Sequence, residues 1–174
     1  MVTSQRFPSS ARLNRPSEFA RVFEFHRSAS GGPLVLYACP RMLRSSGTID
    51  AESPVRIGIS ASRRIGNAVV RNRWKRRLRE AFRMAWSRLP AGNDFVVVVR
   101  AGRVPSGAAG ARQVEDMIVA LANRVTARVG YAEAAKTEAA RRVSLGAQPE
   151  SERNPLAPPH ASAKARLPKP KRRK

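Results

Sequence analysis

The chain has 174 residues, enough for one domain of ordinary size with appendages. Lys and Arg number 34 against 12 Asp and Glu, a formal net charge of +22; this is far more than solubility asks for and predicts a polyanionic partner. Nucleic acid is expected before a membrane, because no apolar run approaches the roughly 20 residues that cross a bilayer, and one cysteine (Cys39) with two histidines (His26, His160) argues against disulfides and zinc.

From the N-terminus, MVTSQRFPSSARL lacks the apolar stretch of a secretory signal, so a cytoplasmic protein is expected. RPSEFARVFEF, residues 15–25, offers Pro16 at a helix opening and Phe19, Val22 and Phe23 at i, i+3, i+4 spacing, which predicts a short amphipathic helix. GGPLVLYACP, residues 31–40, is an apolar run bracketed by Gly and Pro and reads as a strand, with Cys39 as a packing residue. The polar segment 41–53 reads as a surface loop. In PVRIGISAS, residues 54–62, Val55, Ile57, Ile59 and Ala61 alternate with Arg56, Gly58, Ser60 and Ser62, the period of a half-buried strand.

Asn67 is placed to cap a helix running to about Leu89, where Pro90-Ala91-Gly92 ends it. DFVVVVRAG, residues 94–102, is apolar on both faces, as in a central, doubly covered strand. Residues 102–110 read as a loose connection, after which Val114, Ile118, Leu121, Val125 and Val129 form the stripe of a third helix. An Ala-rich stretch from Tyr131 is a candidate prolongation of it. Beyond Gln148 the chain is rich in proline, poor in large apolar residues and basic at its end, a composition that cannot bury enough surface to fold. The expectation is an α/β (α+β) two-layer sandwich with a small mixed sheet, a domain over 1–130, a helical extension over 131–148 and a disordered basic tail over 149–174.

On a helical wheel Val70, Trp74, Leu78, Ala81, Phe82, Ala85 and Leu89 share one side, while Arg73, Lys75, Arg76, Arg77, Arg79 and Arg83 occupy the other with Asn72 among them. A charged helix face is ordinarily just solvated. Here the interleaved acids are missing: ten Lys or Arg lie between Arg63 and Arg88, with Glu80 the one acid. Like charges at i, i+4, as in Arg71/Lys75/Arg79/Arg83, cost a few tenths of a kcal/mol per pair unless phosphates neutralise them. The guanidinium fork suits phosphate, so RNA or DNA contact is the better reading. Asn67 reads first as the cap, Asn72 as a contact residue. Between Pro54 and Gly110 the acids are Glu80 and Asp94 and there is no His, so neither a two-metal carboxylate site nor a His pair is available for phosphodiester cleavage. No catalytic side chain and no protein-held metal are expected.

RRIGNAVVRNRWKRRLREAFR, Arg63 to Arg83, resembles the RNR signature of the bacterial ribonuclease P protein component. RLNRPSEFARVF resembles that family's first helix, and PLVLYA, RIGISAS and DFVVVVRAG its strands; the resemblance runs from about Phe7 to Val129 and is silent on the 41–53 loop and on everything after residue 130. It implies a protein subunit that partners a large catalytic RNA in removing the 5′ leader of precursor tRNA, with Mg²⁺ held by the RNA and substrate, no membrane and no obligate protein partner. It also implies a left-handed βαβ crossover, against the usual right-handed rule. Carried over by position, Arg63, Arg64, Asn67, Arg71, Asn72, Arg73, Lys75, Arg76 and Arg79 would meet the catalytic RNA. Phe19, Phe23 and Tyr37 would line a cleft for the single-stranded leader, where aromatic stacking tolerates varied sequence. Phe19 and Phe23 at i, i+4 would also suit a core, whereas Tyr37 points away from its neighbours Leu36 and Ala38. Trp74 departs from the aliphatic residue typical of the family, which raises a question of packing. The competing class, a structural RNA-binding protein of ribosomal type, shares the charge and the tail but has no need of an aromatic cleft.

Overall fold

The computed structural model describes residues 9–41, 52–100 and 102–146. After a 3-10 turn at Ser9–Ala11, helix α1 (Pro16–Glu24) is opened by Pro16 and by Glu18, whose carboxylate accepts the N–H groups of Asn14 and Arg15 at 3.0 Å each. Strands β1 (Ser28–Gly31), β2 (Leu34–Pro40), β3 (Arg56–Ala61) and β4 (Asn93–Val99) form one mixed sheet in the order β1-β2-β4-β3. β2 runs antiparallel to both β1 and β4, and β3 runs parallel to β4. Helix α2 (Ala68–Ala85) makes the crossover between β3 and β4, and α3 (Gly107–Thr126) and α4 (Tyr131–Gly146) follow.

The predicted 31–40 strand is the second half of a hairpin. Gly32, at φ 49°, turns the chain with Pro33, and Gly31 pairs with Leu34 as the end of β1. β1 escaped the reading because Ser-Ala-Ser-Gly carries no β-branched or aromatic residue. Helix α3 begins at Gly107, inside the stretch that composition marked as loose, and it ends at Thr126, so Val129 is fully exposed instead of joining the stripe. Gly130 at φ 82° breaks the chain, which makes α4 a separate helix and not a prolongation. The α-helical part of α2 stops at Ala85, and a 3-10 turn, Trp86–Arg88, carries the chain to Leu89. The 42–51 part of the expected loop, residues 147–148 of the expected extension and the 149–174 tail lie outside the described residues.

The alternation of each strand divides the interior. Leu34, Leu36, Ala38, Ile57, Phe95, Val97 and Val99 face α2 and α3, whose Trp74, Leu78, Phe82, Val114, Ile118 and Val125 are buried against them. Tyr37, Cys39, Val96 and Val98 point to the opposite face, where α1 contributes Val22 and where Leu13 also packs. Trp74 is fully buried, and its indole N–H donates to the Gly102 carbonyl at 3.3 Å, so the larger ring finds both volume and a partner. Helix α4 is fastened by Tyr131, whose hydroxyl donates to Asn93 Oδ1 at 2.6 Å and whose ring meets Phe25 edge-on at 5.6 Å.

An ion network holds α1 to the sheet. Asp94 is fully buried and accepts two hydrogen bonds from Arg56, at 2.8 and 2.7 Å, and an ion pair from Arg21; Arg56 also reaches Glu18 at 2.8 Å. Burial pushes the Glu18 carboxyl up, but the N–H groups of Arg15 and Asn14 and the charge of Arg56 outweigh it and hold the group below its ordinary 4.5. A carboxyl with a depressed folded-state pKa stabilises the fold fully above the unfolded value, and loses that contribution as pH falls through the folded value. Thermal unfolding followed from pH 7 downward is therefore expected to show a decline in Tm below about pH 4.5, and Glu18→Gln is expected to lower Tm at pH 7 and to flatten that decline.

Candidate nucleic-acid interface

Helix α2 starts where Asn67 Oδ1 accepts the Val70 N–H at 3.0 Å, so the capping role expected of Asn67 is realised while its side chain stays exposed. The residues before it, Arg63–Ile65, form a 3-10 turn that leaves Arg63 and Arg64 exposed. Arg71 is half-buried and donates to the Gly66 carbonyl at 2.9 Å, which ties this turn to the helix. Asn72, Arg73, Arg76 and Arg79 are exposed, and Lys75 and Arg77 are half-buried at the flanks.

Ion pairing sorts these cations by position. Arg83 donates to both carboxylate oxygens of Glu80, at 3.2 and 2.6 Å, which holds Glu80 below its ordinary pKa and raises that of Arg83. Arg88 is paired with Glu115 and lies 3.5 Å from Asp116 on α3. Glu80, Glu115 and Asp116 are thus engaged at the C-terminal end of α2 and in the 3-10 turn that follows it. Positive potential is left concentrated on its N-terminal two-thirds and on the preceding turn, over Arg63, Arg64, Arg73, Lys75, Arg76 and Arg79. The like charges along this face repel one another, and a phosphate backbone relieves that repulsion.

The three aromatic residues meet on the other face of the sheet. Strand register sets Tyr37, Val96 and Gly58 in one row across β2, β4 and β3. The Phe23 ring stands edge-on to Tyr37, with centroids 4.9 Å apart and planes at 83°. Phe19 lies over Gly58: a Cβ there would come within 2.7 Å of its ring, so the glycine sets how deeply α1 seats. Phe19, Phe23 and Tyr37 are each half-buried and packed against the cluster of Leu13, Val22, Cys39 and Val96, so the phenylalanines contribute to the core on this face while part of each ring stays accessible. The aromatic trio and the cationic face do not converge; they lie on opposite sides of one sheet, linked by β3 and the Arg63–Ile65 turn.

Sequence reasoning missed the residues that position this cleft. Asp94, counted only as an acid too isolated for catalysis, is the anchor beneath α1, and Arg21 and Arg56 are its partners. The available signal was an aspartate at the head of an otherwise apolar strand, since such a residue is rarely buried without a cation. Among the described residues no three His, Cys, Asp or Glu side chains are grouped so as to hold a metal ion, and no helix is long and apolar enough to cross a membrane.

The family model for ribonuclease P matches residues 7–126. The chain is 40% identical to the ribonuclease P protein component of Brevibacillus brevis over 93 residues, 53% of this chain and 68% of that protein. It is 39% identical to that of Chloroflexus aurantiacus over 110 residues, 63% of this chain and 73% of the relative. The solved ribonuclease P protein of Thermotoga maritima has the same fold, with a TM-score of 0.51 and 24% identity over 66% of this chain and 96% of that one. The chain belongs to the ribonuclease P protein family. Helix α4 lies beyond the residues that the family model matches.

Because Gly58 governs the seat of Phe19, Gly58→Ala is expected to lift α1 away from the sheet. The check is thermal unfolding, with an expected loss of Tm of several degrees.

Proposed function

We propose that this protein subunit of ribonuclease P serves tRNA processing through two separate surfaces. The cationic face of α2 and the Arg63–Ile65 turn bind the catalytic RNA, and the cleft of Phe19, Phe23 and Tyr37 receives the single-stranded 5′ leader of precursor tRNA. The observation that carries this reading is the division of the two surfaces by the sheet: two RNA segments can be held at once, at a fixed separation, by one rigid body. Exposed Arg63, Arg64, Arg73, Arg76 and Arg79, with Lys75 at the flank, neutralise phosphate charge, and exposed Asn72 offers its neutral amide as a hydrogen-bonding contact. Asn67 and Arg71 act mainly by holding the turn and the helix start in place.

In this reading the hydrolysis belongs to the RNA. The described side chains offer neither a carboxylate cluster nor a His pair for the chemistry, so Mg²⁺ is assigned to the catalytic RNA and the substrate, with no protein ligand. What the protein supplies is positioning. Edge-open aromatic rings take bases with little sequence preference, each stacked base contributing about 1–3 kcal/mol, and anchoring the leader presents the scissile phosphate to the RNA-bound ions. No obligate protein partner enters the scheme.

Cleavage of precursor tRNA by the cognate RNA subunit at low Mg²⁺ is expected to rise strongly when the protein is added; absence of stimulation would leave only a structural RNA-binding role. Tyr37→Ala is expected to weaken binding of leader-bearing precursor about 5- to 150-fold, in line with about 1–3 kcal/mol per stacked base, and to leave affinity for mature tRNA unchanged. Equal losses for both ligands would make the ring a structural element.

A further inference from the structure

Beside the cationic face of α2, the segment from Gly102 to Gly107 stands off from the helix and leaves a groove. One part, about 500 Å³, is lined by Ile65, Val70, Arg73, Gly102, Arg103 and Val104. It runs into a second part, about 430 Å³, which shares Arg73 and Val104 and adds Arg76, Arg77 and Pro105. Ile65, Val70, Val104 and Pro105 are half-buried and make an apolar floor, while the guanidinium groups stand around it. Glu80, the acid of the lining, is engaged by Arg83. Arg73, Arg76 and Arg103 make no ion pair among the described residues.

The groove is held open from both sides. The Trp74 indole N–H donates to the Gly102 carbonyl at 3.3 Å, which pins the start of the segment to α2. At the far end Pro105 lies so close to α3 that a Cβ on Gly110 would come within 2.6 Å of the Pro105 carbonyl carbon. A site fixed in this way loses little entropy on binding. Trp74 is also the residue at which this chain departs from the aliphatic pattern, so the pin is a property of this sequence.

Phosphate contact alone needs only a convex cationic surface, which α2 already presents. An apolar, half-buried floor ringed by arginines suits a different object: a flat apolar face carried between two negative charges, which is an unstacked nucleotide. Unpaired bases are held on apolar and guanidinium surfaces while their phosphates meet cations. We propose that this groove takes one extruded, unpaired nucleotide of the catalytic RNA, its base against Val70, Val104 and Pro105 and its flanking phosphates on Arg73 and Arg103. The inference rests on the assignment of α2 to the catalytic RNA and adds what that surface recognises: a place where the RNA leaves its helical stack.

The test uses the full chain and the cognate catalytic RNA. Val104→Trp fills the groove, and is expected to lower RNA affinity about ten-fold, the scale of one stacked base, without changing the salt dependence. Chemical probing is expected to find one base that the native protein protects and that becomes reactive in the Val104→Trp complex. Val104→Ser, which removes floor without adding bulk, is expected to lower affinity about three-fold and to expose the same base, which guards against misfolding of the larger variant. Arg103→Ala is expected to flatten the log–log salt slope by about 0.7–0.9. Should Arg103→Ala flatten the slope while neither Val104 variant alters affinity or base reactivity, the groove meets phosphate alone and the proposal falls, although the wild-type protein would still stimulate cleavage. Failure of the wild-type protein to bind or stimulate the RNA would instead overturn the assignment of α2 itself, and the groove proposal with it.

Discussion

Asp94, the second residue of β4, is fully buried and is followed on the strand by apolar residues alone, Phe95 to Val99. Its charge is tolerable because Arg56 grips both oxygens and Arg21 closes from α1, while Glu18 balances the far side of Arg56. A buried carboxylate without these partners would cost several kcal/mol, so the two arginines and the strand are mutually required. The geometric consequence matters more than the energy. Arg21 and Glu18 both belong to α1, so the network fixes where that nine-residue helix sits and how it is rotated. A helix this short has little stability of its own; with its ionic end anchored and Phe19 seated on Gly58, the open edges of Phe19, Phe23 and Tyr37 stay aligned along one side.

The opposite side of the sheet obeys a different economy. There α2 is held by an apolar floor of Trp74, Leu78, Ala81, Phe82 and Ala85, strong enough to tolerate a roof of like charges. The few acids nearby are not scattered to relieve that roof evenly. Glu80, Glu115 and Asp116 serve Arg83 and Arg88, and the unrelieved charge collects toward the start of the helix. An α-helix N-terminus already carries a partial positive charge, so cations stacked there raise the potential where a phosphate backbone would meet it. The face that stabilises the fold and the face proposed to bind RNA are thus different sides of the same eighteen residues.

Much of this was legible from residue order. The 3.6-residue period of α2 named its buried floor residue by residue, and the period of two in Val55, Ile57, Ile59 and Ala61 identified the core face of β3. The cap at Asn67 followed from side-chain chemistry alone. Misreadings fell where local signal was weak or overridden. Ser28–Gly31 has no strand propensity and becomes a strand because β2 offers it a free edge. Gly107–Gly110 reads as a loop, yet it is the first turn of α3, and position 110 is a glycine because only a residue without a side chain fits beneath Pro105.

Composition and periodicity were sufficient to predict a cationic helix suited to nucleic acid on a small sheet, since charge counts and apolar spacing are properties of the chain before it folds. Spatial partnership is not such a property. That Asp94 would meet Arg21, 73 positions earlier in the chain, that the aromatic trio and the cationic face would be set back to back, and that Trp74 would hold Gly102 beside an arginine-rimmed groove all depend on the register of β3 on β4 and on which face each helix covers. Those choices emerge only when the strands pair and the apolar faces are buried together, because contacts between residues distant in sequence leave no periodic trace in it.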